Sequence, residues 1–174
     1  MSRWLRLTPV VLLVLLIAAL VWRLGHPEDT TIRSRLAGQP VPAFALPAAL
    51  PGQPGLASTD LNGGPHLVNL FASWCVPCVA EAPVLQQLKS RGVVIDGIAI
   101  RDRPEDLAAF LAAHGNPFER IGADNASKVQ LALGSAGVPE SFVVDGRSII
   151  RFQHVGPIEP GDVPMILDQL EKAQ

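Results

Sequence analysis

Cysteine is scarce in this chain. There are two in 174 residues, both inside Trp74-Cys75-Val76-Pro77-Cys78. So few leave no framework of structural disulfides, and zinc held by this pair would need two further ligands. The four histidines, His26, His66, His114 and His154, show no metal-ligand spacing. An internal repeat is also missing. Residues 1–36 carry five Arg and two acids, a net of +3, whereas residues 37–174 carry nine Lys+Arg and fourteen Asp+Glu, a net of −5. The acidic part has no basic run and no basic residues interleaved with aromatics, so nucleic acid is not an expected partner.

The N-terminus lacks something too: no small-residue cleavage site follows its apolar run, which ends in Leu20-Val21-Trp22-Arg23-Leu24. An uncleaved signal anchor over residues 1–24 is therefore expected rather than a removed leader. Sixteen uncharged residues lie between Arg6 and Arg23. At ~1.5 Å per residue they span ~24 Å, and if both arginines snorkel the span from Leu5 to Leu24 reaches ~30 Å, the thickness of a bilayer core. Trp4 and Trp22 then fall at the two interfaces. A polar linker, 25–37, leads to a domain over 38–174, long enough to bury its own core.

Within that domain the pattern alternates. Gly38 to Leu46, with two prolines, reads as an irregular segment or edge strand, and Pro47 to Gly64 as loop with a short strand at most. A strand at 66–72 leads to a helix at 76–90. Next come a strand at 93–100, a helix from Pro104 to about His114, a short strand at 118–121 and a short helix at 127–133. A hairpin follows, 141–144 with 148–152 around Asp145-Gly146, and a helix from about Pro160 to Lys172 closes the chain. Strands alternating with helices, then a hairpin and a helix, predict an α/β fold: a mixed sheet covered on both faces.

Two residues between cysteines, at a strand-to-helix junction, is the spacing of a redox pair. The helix N-terminus stabilises a thiolate, so Cys75 is the expected nucleophile; Cys78, one turn on and facing inward, is the expected resolving thiol. The reaction class is thiol–disulfide exchange through a mixed disulfide, which calls for no cofactor and no resident metal. The competing readings are a structural staple, which constrains little chain at this spacing, and half of a metal site. Glu81, three residues after Cys78, either relays the Cys78 proton or complements the helix dipole. Pro139 opens a strand as an ordinary trans residue or, if cis, leaves a backbone edge at Val138-Pro139-Glu140 for a substrate segment. Glu140 is a groove acid that selects partners or a solvated strand end. Asn69 points inward in its strand and satisfies hydrogen bonds there.

Trp-Cys-x-x-Cys after a hydrophobic strand, Pro83 five residues after the second cysteine, and Pro139 before the last hairpin together resemble the thioredoxin fold. Four segments resemble more narrowly the membrane-anchored thiol:disulfide interchange proteins of cytochrome c maturation, the DsbE/CcmG type. They are Leu36 to Phe44; Leu67 to Cys75, with Asn69 where ordinary thioredoxins carry a buried aspartate; Gly137 to Phe142, with Ser141 in place of threonine; and Ile149 to Gly156. The resemblance implies a cis Val138–Pro139 peptide and functional weight for Glu81 and Glu140. It also implies a catalytic domain on the periplasmic side of the inner membrane. There it would reduce the Cys-x-x-Cys-His disulfide of apocytochrome c, or of a partner thiol carrier, and be reset by a transmembrane electron donor. Val76-Pro77 between the cysteines, and Pro83, are closer to thioredoxin-type and general periplasmic reductases. A reductase with other clients is thus the alternative within the class. Outside it stands a copper or zinc carrier using the cysteine pair with His154, and a domain that oxidises dithiols is a third possibility.

Overall fold

The computed structural model describes residues 36–174, together with Pro9, residues 12–18 and Trp22. The chain separates into two units, Met1–Ile32 and Arg33–Gln174. In the first, the described residues are helical, and Leu12 through Ile17 are exposed. Most of the expected anchor and nearly all of the expected linker lie outside the described residues. Among the described residues, no helix is long and apolar enough to cross a membrane.

The second unit begins with β1 (Ala45–Leu46), β2 (Leu56–Ala57) and a 3-10 turn at Ser58–Leu61. It continues through β3 (His66–Phe71), α1 (Val76–Ser90), β4 (Ile95–Ile100), α2 (Pro104–His114), β5 (Arg120–Asp124) and α3 (Lys128–Ala132). The last elements are β6 (Glu140–Val144), β7 (Ile150–Val155) and α4 (Val163–Lys172). The main sheet has five strands in the order β5-β4-β3-β6-β7. β3, β4 and β5 run parallel, while β6 and β7 are antiparallel to their neighbours.

Helical crossovers between parallel strands place α1 and α2 on one face, and α4 joins them there. Leu67 and Phe71 of β3 point to that side, into a core with Leu85, Leu88, Phe110 and Ile166. Val68 and Leu70 point the other way, into a second core with Phe142, Leu61, Val129 and Leu133 beneath α3 and the N-terminal segment. Burial on both faces is why β3 and β4 read as nearly continuous apolar runs. By alternation Asn69 falls on the α1 side, beside Leu67 and Phe71.

Both sheet edges are covered by the proline-rich segment. Gly38 N–H donates to Ile150 O, and Ile150 N–H to Gln39 O, along β7. Ala49 N–H donates to Ile121 O, and Ala123 N–H to Pro47 O, along β5. Backbone that looked like loop thus protects the two edges.

Several boundaries differ from the sequence expectation for identifiable reasons. β5 starts at Arg120, not 118, because its ladder on β4 begins with the pair Asp96↔Arg120. The hairpin turn widens to Asp145–Ile149, since the inward-turned Asp145 carboxylate accepts the N–H groups of Arg147 and Ile149, both at 2.9 Å, and pairs with Arg151. α4 begins at Val163 rather than Pro160, because the Asp162 carboxylate turns back to accept Glu159 N–H at 2.8 Å.

Gly97 in β4 underlies two stacked rings. Phe71 and Phe118 have centroids 4.4 Å apart, and a Cβ on Gly97 would lie 2.8 Å from Phe71 and 3.0 Å from Phe118. Gly97→Ala is expected to destabilise the domain by ~1–3 kcal/mol through overpacking. Chemical denaturation reads this as a lower midpoint at unchanged slope.

Candidate active site

β3 ends at Phe71, and four residues later Cys75 begins α1. Cys75 is the N-cap, with extended backbone (φ −89°, ψ 108°), and its sulfur accepts the Cys78 N–H at 3.3 Å. Val76 and Pro77 occupy the first helical positions, where a proline sacrifices no helical hydrogen bond. The two cysteines are joined by a disulfide, Cα–Cα 5.3 Å. Both are almost fully buried, at 4% and 3% exposure, whereas Trp74 and Val76 stand out at 59% and 79%. Surface access therefore does not separate the sulfurs. Their surroundings do: Cys75 faces the free N–H groups of a helix start, which favour a thiolate, and Cys78 faces the interior.

Behind Cys78 lies a small cavity of about 10 Å³, bounded by Cys78, Asn69, Glu81 and the rings of Phe71, Phe110 and Phe118. A cavity of that size suits about one water molecule. Glu81 is only 1% exposed. Asn69, fully buried, donates one amide hydrogen to Glu81 Oε1 at 2.7 Å and the other to Ser141 Oγ at 2.9 Å. Glu81 Oε2 and Asn69 Oδ1 have no hydrogen-bond partner among the described residues. Burial pushes the Glu81 carboxyl from 4.5 up to about 8, against the smaller opposing pull of the Ile158 backbone and the Asn69 amide. The carboxyl is consequently protonated at neutral pH. This acid is no solvated group merely complementing a helix dipole.

The register Leu70↔Glu140 brings the start of β6 to the sheet end from which the cysteine loop departs. The Val138–Pro139 peptide there is cis. Val138 is half-buried and packs against the cluster that contains both cysteines. Glu140 is 3% exposed, and its Oε1 accepts a hydrogen bond from Gln153 Nε2, so it is not a solvated strand end. His154 Nε2 donates to Pro157 O at 3.2 Å and approaches Asp162 at 3.8 Å.

Further polar residues at this end were not singled out from sequence. Asp102, just after β4, accepts two hydrogen bonds from Ser73. Asp124, ending β5, accepts the N–H groups of Lys128 and Gln130 at 2.9 Å each. Gln130 Nε2 and Ser135 Oγ then donate to Gly137 O, one residue before the cis step. Their signal in the sequence was position alone: both acids sit at C-terminal ends of parallel strands, where α/β sheets build their sites.

A Cys-x-x-Cys helix start beside a cis-proline, on a mixed sheet with helices on both faces, defines a thioredoxin-fold thiol–disulfide oxidoreductase. The redoxin family model matches residues 36–170. Over 159 residues the chain is 39% identical to the thiol:disulfide interchange protein DsbE of Pseudomonas fluorescens biotype C, covering 91% of this chain and 88% of that protein. It is 35% identical over 171 residues to the thiol:disulfide interchange protein HelX of Rhodobacter capsulatus, covering 98% and 97%. A crystal structure of a thioredoxin-family thiol:disulfide interchange protein from Chlorobium tepidum TLS superposes with a TM-score of 0.61 at 28% identity, covering 75% of this chain and 94% of that one. The chain belongs to the redoxin family, among the DsbE and HelX thiol:disulfide interchange proteins.

The buried carboxyl has a thermodynamic consequence. A folded-state pKa above the unfolded one means that the folded protein holds an extra proton between the two values, so stability is full below pH 4.5 and falls as pH rises towards about 8. At ~1.4 kcal/mol per unit, the loss from Glu81 is about 5 kcal/mol at most. Glu81→Gln is expected to flatten the stability profile of the oxidised protein between pH 5 and 8, measured by denaturant titration. Parallel profiles for the two proteins would refute the assignment.

Proposed function

We propose that this chain is a membrane-anchored reductase whose catalytic domain faces the periplasm, and that its client is the Cys-x-x-Cys-His disulfide of apocytochrome c or a partner thiol carrier. The observation that carries the mechanism is the asymmetry of the pair: Cys75 caps the helix with its sulfur on the Cys78 N–H, and Cys78 borders the cavity of the buried acid Glu81.

In the reduced protein, the Cys75 thiolate attacks one sulfur of the client disulfide, and the other client sulfur leaves as a thiolate. Cys78 gives its proton to the ionised fraction of Glu81 and attacks Cys75 Sγ. The mixed disulfide breaks, the client departs with two electrons, and Cys75–Cys78 forms. Resetting reverses the sequence. A dithiol donor within the membrane attacks Cys75, Cys78 leaves, and Glu81, protonated at neutral pH, returns the proton.

A reductant in an oxidising compartment needs a narrow docking surface. Exposed Trp74 and Val76 supply an apolar platform beside Cys75. The backbone of half-buried Val138 supplies the edge with which a client segment pairs, flanked by the cis Pro139 and by Glu140, whose carboxylate is fixed by Gln153. Membrane attachment rests on residues 1–24: the uncharged run, its flanking arginines and tryptophans, and the lack of a cleavage site. The homology to DsbE and HelX supports the client class.

Trapping tests the reading. The full-length Cys78→Ala variant is expected to accumulate a mixed disulfide through Cys75, with apocytochrome c or a thiol carrier as the captured protein by mass spectrometry. Capture by Cys75→Ala instead would reverse the roles. Capture of unrelated envelope proteins by Cys78→Ala would favour a general reductase.

A further inference from the structure

Ser73 lies two residues before Cys75 in the bend between β3 and α1. Its backbone N–H donates to Asp102 Oδ2 and its hydroxyl to Asp102 Oδ1, each at 2.6 Å. Asp102 Oδ1 also accepts the Arg103 N–H at 3.0 Å. One residue on, Trp74 Nε1 donates to Arg101 O at 3.4 Å. Arg101 has a left-handed backbone (φ 47°), and its own N–H reaches Asp124 O at 3.3 Å. The loop after β4 thus grips both residues that lead into the nucleophile, 29 and 27 positions away in sequence.

We propose that Asp102 is a positioning residue of the thiol centre: its carboxylate fixes the approach of the chain to Cys75 and opposes ionisation of the Cys75 thiol. The first effect follows from geometry. Two short charge-assisted bonds to one residue remove the freedom of the bend, so the N-cap sulfur and the Trp74 ring are already placed when a client arrives. The second follows from charge. Ser73 is two residues from Cys75, so the carboxylate lies within about 10 Å of it, where a negative charge works against the helix N-terminus. The other charged or titratable groups around this end are Arg101 and Arg103 on the same loop, Glu105 and Asp106 at the start of α2, Asp124 on β5, Lys128 at the start of α3, Glu81 on α1, Glu140 on β6, His154 on β7 and Asp162 before α4. Arg103 is engaged with Asp106 at 2.7 Å.

This inference rests on the exchange chemistry assigned to the pair but not on the client. Its test therefore uses a small probe. The rate of iodoacetamide alkylation of Cys75 is followed against pH in the full-length Cys78→Ala protein, alone and with Asp102→Asn, Asp102→Ala or Ser73→Ala added. The midpoint of the profile reads acidity, and the plateau above it reads approach geometry. Asp102→Asn keeps one acceptor oxygen and no charge. It is expected to move the midpoint down by about half a unit, roughly threefold in thiolate fraction below the midpoint, with a nearly unchanged plateau. Asp102→Ala is expected to move the midpoint down as well and to change the plateau by about threefold or more, as the bend is released. Ser73→Ala, which keeps the N–H bond, should fall between the parent and Asp102→Ala in plateau. Profiles of Asp102→Asn and Ser73→Ala that superimpose on the parent within twofold would overturn the proposal, whatever happens to melting temperature and even if Asp102→Ala does not fold. An upward midpoint shift in Asp102→Asn would overturn it equally.

Discussion

A carboxyl group buried behind a cysteine pair is expensive to ionise, and much of this site is arranged around that expense. Glu81 is reached by one amide hydrogen of Asn69, whose second hydrogen goes to Ser141. That links α1, β3 and β6 through three buried side chains. A fully satisfied network would hold the carboxylate charged. Here burial outweighs the two favourable contacts, and the group keeps its proton up to about pH 8. Asn69 has a part in this, since an amide in the strand core adds no second negative charge beneath the thiols.

The rim above this cluster is held differently. Acids at the ends of parallel strands accept its hydrogen bonds, mainly from backbone N–H groups. Asp102 fastens the bend before Cys75, Arg101 N–H joins that loop to Asp124 O, and Asp124 caps the backbone that carries Gln130. Gln130 in turn reaches Gly137, immediately before Val138 and Pro139. A continuous series of bonds therefore connects the segment leading to the nucleophile with the segment proposed to receive the client. The two sides of the groove share supports, so a displacement on one side meets resistance from the other.

How much of this was legible in the sequence depended on how local the determinant was. β3 was readable because burial on both faces writes an unbroken apolar run, and α1 because the cysteine spacing and an early proline mark its first turn. The pairing of Cys78 with Glu81 was readable from helical spacing. Asn69 was readable as a polar residue forced inward, but Ser141 as its partner was not, because the contact depends on the register of β3 against β6, Asn69↔Ser141. The Asp102–Ser73 contact left no trace in any window, as nothing near either residue calls for the other. Gly38 to Gly64 was readable as irregular or edge backbone with a short strand at most, and it holds two two-residue strands and a 3-10 turn; its role as cover for two sheet edges exists only once the sheet is formed. Residues 1–24 carry their argument in composition alone.

The same distinction bears on what sets the chemistry of the thiols. Val76 and Pro77, between the cysteines, are exposed. Their side chains therefore influence the pair mainly through helix-start geometry and through what a client meets. Glu81 acts from beneath, in a medium of low polarity where charges interact strongly. In the reduced protein, a Cys78 thiolate and a Glu81 carboxylate would share one small cavity, and two negative charges there disfavour each other. A proton on either group relieves that repulsion. Whichever partner takes the proton, the energy of the reduced state depends on the acid as well as the sulfur. The buried cluster of Glu81, Asn69 and Ser141 therefore stands beside the two residues inside the motif as a local influence on the energy of the pair.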